Sequence, residues 1–135
     1  MKALTLLLVV AISALPIHAN ASKGESVSDV AGLVGDWSGT SLCQVKPSAC
    51  HDENVIFRFS HPHDNKITVQ ADKVVDGKPV TMGSSEWTYD EAAHVLTWQI
   101  PRGTWKLVVE GNEMNGTLVV PDNITFRRVH LAKLK

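Results

Sequence analysis

Excess charge of either sign is missing from this chain: 13 Lys and Arg stand against 14 Asp and Glu, for a formal net charge of −1. A nucleic-acid binder needs a basic face that neutralises phosphates, and this balance argues against one. No polybasic cluster points to a membrane surface, because the terminal Lys133-Leu134-Lys135 is short and reads as a solvated tail. Aromatic side chains are few, with four Trp, three Phe and one Tyr among 135 residues. Only two cysteines occur. No stretch keeps a helical period, and no internal repeat or low-complexity block interrupts the chain. A Gly-x-Ser-x-Gly frame is also lacking, so no serine nucleophile of that kind is offered.

One apolar run is present, at the start. Met1-Lys2 gives a short positive region, Ala3 to Leu15 carries no charge, Pro16 breaks the run, and Ala19-Asn20-Ala21 has the small-x-small form of a cleavage site. This order predicts a secretory signal peptide over residues 1–21, cut after Ala21 or after Ala19. The run is shorter than the 20 or so apolar residues that a transmembrane helix needs. With Lys2 removed, 12 basic and 14 acidic side chains remain, a formal charge of −2. Residues 22–135 then suffice for one domain, secreted or periplasmic. Residues 22–32 read as an N-terminal lead with a short helical turn near Ser28 to Leu33, and residues 33–132 as the folded unit.

In an oxidising compartment Cys43 and Cys50 most simply form one disulfide. Six residues separate them, which is wider than the usual spacing of thiolate zinc ligands. From Asp36 onward the chain reads as strand and turn without relief. Asn54 to Ser60 and Lys66 to Val74 alternate apolar with polar residues, and Asp76-Gly77 between strands is a strong hairpin signal. Further strands fall at Pro79–Met82 leading into Glu86–Tyr89, then at His94–Ile100, Thr104–Glu110, Glu113–Val120 and Ile124–Leu131. About eight short strands at this spacing indicate an all-β sandwich or barrel. Hairpins between neighbours favour an up-and-down antiparallel barrel, whose closure removes exposed edges.

Gly35-Asp36-Trp37 opens the first strand and Arg127-Arg128 lies in the last. On these residues and the strand count, the chain resembles the lipocalin-like, or calycin, superfamily. The resemblance implies an eight-stranded barrel in which an Arg of the last strand stacks on the Trp and seals the base. A guanidinium packs well on an indole face. Phe126 and Arg128 share parity, so Arg128 is the expected partner of Trp37, with Arg127 second. The chain also resembles small uncharacterised secreted proteins with a Trp-x-Gly-Thr-Ser-x-Cys segment, here Trp37 to Cys43, followed by Cys50 to Glu53. No activity follows from that second likeness.

Phe57, Phe59, Trp87, Tyr89 and Trp105 sit at alternating positions that turn inward together. They either line an apolar pocket for one small ligand or fill the barrel. Trp98 and Val95 have opposite parity, so one faces out; an outward Trp98 beside Leu96 and Ile100 would form an exposed apolar stripe. His61, His63 and Asp64 share one loop, whose Pro and Asp read as a turn, and their spacing matches no metal motif. His51, Asp52 and Glu53 suggest acid–base chemistry, but alternation sends the two carboxylates to opposite faces. Asn115 and Asn123 begin glycosylation sequons, which matter only in a eukaryotic host. No residue is assigned to catalysis, metal binding or a cofactor. The expectation is an exported barrel that binds a small apolar or amphipathic ligand. A solid barrel serving as a protein-interaction or structural module is the alternative, and a metal-binding or hydrolytic protein stands third.

Overall fold

The computed structural model describes residues 29–135. The predicted signal peptide and residues 22–28 lie outside them. Eight strands follow in chain order: β1 (Gly35–Cys43), β2 (Glu53–His63), β3 (Lys66–Val75), β4 (Lys78–Asp90), β5 (Val95–Ile100), β6 (Gly103–Glu110), β7 (Glu113–Val120) and β8 (Ile124–Lys133). Each pairs antiparallel with its neighbour, and β8 returns to pair with β1, so the sheet is a closed up-and-down barrel. The hairpin at Asp76-Gly77 has φ of 51° and 75°, the paired positive values that this two-residue turn demands. The two pieces expected between Pro79 and Tyr89 are one strand. A bulge joins them: Ala71 faces Gly83 and Asp72 faces Thr81, which leaves Met82 as the extra residue.

The base of the barrel is a packed apolar core. Leu33, Trp37, Ile67, Leu96, Leu107, Met114 and Leu131 are all 0% exposed. A single 3-10 turn, Val30–Leu33, drops across this end. Its first turn is capped by Asp29, whose Oδ1 accepts from the Gly32 amide at 2.9 Å, and it inserts Val30 and Leu33 into the core. The Trp37 indole N–H donates to the Leu33 carbonyl at 2.9 Å, tying turn to strand.

The cation over Trp37 is not the expected arginine. Lys133 lies opposite Trp37 in the β1–β8 register, whereas Arg128 lies opposite Leu42 and Arg127 opposite Cys43. Arg128 is thus five positions away, about 17 Å along the strand, and is exposed. The Lys133 ammonium stands 5.5 Å from the Trp37 ring centroid and donates to the Gly32 carbonyl at 2.8 Å. The attraction of a cation for an indole face still operates, with a different residue supplying it. The parity reading of Phe126 and Arg128 fails because Leu118 pairs with Arg127 and Val119 with Thr125. Phe126 is skipped, and Arg127 joins Val129 and Leu131 on the inward row.

The expected disulfide is present, Cys43 to Cys50 with Cα atoms 5.9 Å apart. Closing so short a loop stabilises by about 2–3 kcal/mol in the chain-entropy model. The loop is also tied to the barrel: Asp52 Oδ1 accepts from the Cys43 amide at 2.8 Å, and Arg127 donates to the His51 carbonyl at 3.1 Å. A disulfide of this kind is maintained in oxidising compartments. Among the described residues no helix is long and apolar enough to cross a membrane.

On the outer wall, Arg58 of β2 bridges Asp36 of β1 and Asp72 of β3. Its Nε donates to Asp72 Oδ2 at 2.9 Å, and Gln70 Nε2 donates to Asp72 Oδ1 at 3.0 Å. Asp72 is 2% exposed. Burial alone pushes its carboxyl up, but hydrogen bonds from Gln70, Arg58 and Thr81 and the Arg58 charge outweigh that and hold it below the usual range. A carboxyl depressed in the folded state contributes stability above its unfolded pKa and loses it as pH falls through the folded value. Melting temperature should therefore drop on acidification below about pH 4. Asp72→Asn should flatten that drop while lowering stability at neutral pH. An unchanged acid profile in Asp72→Asn would show that this carboxylate is not the linked group.

Candidate functional site

The inward rows divide by depth. Phe59 lies low, edge-on to Trp37 at 6.1 Å. Tyr89 is also low, 1% exposed, with its hydroxyl 3.2 Å from His94 Nδ1. Burial, with the charges of Glu91, Asp29 and Asp90, pushes the Tyr89 phenol up. Phe57, Trp87 and Trp105 lie higher and wall a cavity of about 310 Å³. Of the five aromatics expected around a pocket, three therefore line it, while Phe59 and Tyr89 pack its floor.

Trp98 completes the wall, on the inner face rather than the outer one. Leu96 is 0% exposed, and Trp98 shares its parity. The short turn at Pro101-Arg102 pairs Ile100 with Gly103 and therefore Trp98 with Trp105. Cross-strand partners share a face, so an inward Trp105 requires an inward Trp98. That signal was available in the sequence. Of the two alternatives, Trp98 is therefore the inward one, and no outer stripe forms through it. Trp87 touches the other three rings, with centroids 5.6 Å from Trp98, 6.3 Å from Trp105 and 6.4 Å from Phe57. Interplanar angles of 34°, 43° and 62° leave none of the three pairs in parallel stacking. Ser85 Oγ accepts from the Trp87 indole N–H at 2.9 Å and fixes that ring.

The polar side of the cavity comes from Ser41, Glu53 and Arg127. The sequence offers Arg127 only as a second candidate for the base. Its Nη1 donates to Ser41 Oγ at 3.1 Å, to the Ser41 carbonyl at 3.4 Å and to the His51 carbonyl at 3.1 Å. Glu53 Oε2 lies 3.7 Å from the same nitrogen. The β8 bulge brings Arg127 here, and pairing of Ser41 with Glu53 places those two side by side.

The wall is open on one side. β4 pairs with β5 at Thr88–Thr97, Tyr89–Leu96 and Asp90–Val95, and no pair above these joins the two strands among the described residues. Gly83, Ser84 and Ser85 of β4 and Trp98 of β5 edge the cavity along this gap. Every residue from Lys78 to Ser84 is exposed, as expected where β5 does not cover β4.

The histidines do not converge. His51 precedes β2 and the His61–His63 pair ends it, about 30 Å or more apart along an extended strand. His63 Nε2 and Lys66 Nζ both approach Glu86, at 3.3 and 3.6 Å, on the surface. Among the described residues, no three His, Cys, Asp or Glu side chains group to hold a metal ion. Asn115 and Asn123 are both exposed, and Asn115 Oδ1 lies 2.8 Å from His130 Nδ1. Comparisons with family models, curated proteins and solved structures find no match to this chain.

Proposed function

We propose that this protein is an exported lipocalin-like barrel that binds one small apolar or amphipathic molecule in its interior. The observation that carries the reading is the cavity of about 310 Å³ walled by Phe57, Trp87, Trp98 and Trp105. Its volume falls at the lower end of the range for small-molecule sites, and its lining is mostly apolar with a few convergent polar groups. The space equals about ten water volumes, which favours a compact ligand over a long acyl chain. Gly35-Asp36-Trp37 at the base of an eight-stranded closed barrel supports the lipocalin-like assignment. The Cys43–Cys50 bond and the leader-like residues 1–21 support a secreted or periplasmic location.

Titration with an apolar fluorophore such as 8-anilinonaphthalene-1-sulfonate tests the reading, since three Trp rings line the cavity. Trp emission should fall on binding. At a hundredfold excess over Kd the ligand should stabilise by about 2.7 kcal/mol, equivalent to a rise in melting temperature of about 10 °C or more. No change in emission or melting across a panel of apolar compounds would favour a barrel that works through its surface. Val75, Val80 and Met82, each between 44% and 47% exposed on the β3–β4 hairpin, are the observation favouring that second reading.

A further inference from the structure

We propose that the cavity selects a compact cation, an amine or quaternary ammonium carried on a small apolar body. This inference rests on the ligand-binding reading above and adds the charge of the ligand. Two features of the wall attract positive charge. Phe57, Trp87, Trp98 and Trp105 line one space, with the Phe57, Trp98 and Trp105 ring centroids within 6.4 Å of Trp87. The face of an aromatic ring is the negative side of its quadrupole, and several faces around one point form a cage for an ammonium group. Glu53 supplies the second feature. Its side chain lines the same cavity and is 23% exposed. Among the described residues its carboxylate makes no hydrogen bond; its one charged neighbour is Arg127 Nη1 at 3.7 Å.

Arg127 is the single positive group in the lining, and its Nη1 is held at the rim by three neutral acceptors. The Ser41 hydroxyl and the Ser41 and His51 carbonyls all accept from Nη1 within 3.4 Å. The guanidinium is thus fixed to the β1 end and the disulfide loop, where it orders the rim. An anionic ligand would meet Glu53 and an aromatic lining, with Arg127 alone as an attractive neighbour. A cation meets the reverse. The gap between β4 and β5 offers Gly83, Ser84 and Ser85 beside the rings, small residues that leave room for the apolar body.

Phenyltrimethylammonium and its uncharged isostere tert-butylbenzene separate the possibilities, because both match the cavity's size and differ in charge. Binding of each to the wild-type protein is read from Trp emission, with benzoate as the anionic comparison. The cation should bind about tenfold more tightly than the neutral isostere, and benzoate more weakly than either. Glu53→Gln should remove several-fold of the cation's affinity, with circular dichroism checking the fold. Equal or tighter binding of tert-butylbenzene in the wild-type protein would overturn the inference and leave the cavity reading standing. Failure of all three probes to bind would remove both. An unchanged cation affinity in Glu53→Gln would overturn the role given to that carboxylate.

Discussion

Replacing Trp37 with alanine is expected to cost about 4 kcal/mol, the range measured for deleting a large buried aromatic. The side chain is 0% exposed and fills the centre of the base. It meets Phe59 edge-on, donates to the Leu33 carbonyl, and carries Lys133 above its ring. Truncation leaves a void among residues fixed by a closed sheet, which cannot collapse far to fill it. It also frees the 3-10 turn, whose bond to β1 runs through the indole nitrogen. A domain of this size is stable by only about 5–15 kcal/mol, so the variant should sit near the edge of unfolding. Trp37→Phe keeps the ring volume in part and isolates the lost hydrogen bond, which should cost about 1–2 kcal/mol. Denaturant titration measures both. A loss under about 1 kcal/mol for Trp37→Ala would refute the view that this residue closes the base.

The barrel was legible because its evidence is local. Alternation along Asn54–Ser60 and Lys66–Val74 reports a strand with one buried face, and Asp76-Gly77 reports the turn that joins two of them. Cys43 and Cys50 lie close enough in sequence that pairing needs no knowledge of the fold. What stayed hidden depends on stagger and irregularity. Phe57 and Phe59 share a face, yet one walls the cavity and the other packs beneath it, because two positions along a strand change depth by about 7 Å and parity does not report depth. Arg127 rather than Arg128 faces inward because a bulge at Phe126 shifts the alternation by one, and the place over Trp37 falls to Lys133. Trp98 is a different case. Parity within β5 sets it only against Val95 and leaves open which of the two faces out, and its cross-strand partner Trp105 decides it. The cavity itself has no sequence signal, since its volume is the difference between the barrel's curl and the side chains that fill it.

That curl rests on close backbone approaches, and Gly39 marks the tightest. Gly39→Ala is expected to destabilise by about 3 kcal/mol or more through overpacking. The glycine lies on the inward row between Trp37 and Ser41, paired with Leu131 across the β1–β8 seam. A Cβ there would stand 1.8 Å from the His130 carbonyl oxygen, 2.8 Å from its carbon and 3.0 Å from Leu131 Cα. All three are backbone atoms, so no side chain can rotate away to make room. The strands must separate by more than an ångström or so, beyond the reach of a normal interstrand hydrogen bond. This seam is the one that closes the sheet, and opening it creates two free edges. Gly39→Ala should therefore lose amide protection in β1 and β8 first, seen by hydrogen exchange, and should tend to self-associate. Gly116 faces the same constraint at the β6–β7 seam, where a Cβ would meet the Lys106 carbonyl oxygen at 2.1 Å. If Gly39→Ala instead melts within a few degrees of the wild type with β1 and β8 still protected, the strands have more room than this geometry allows. The close approach at Gly39 would then not be what sets the width of the barrel and the space inside it.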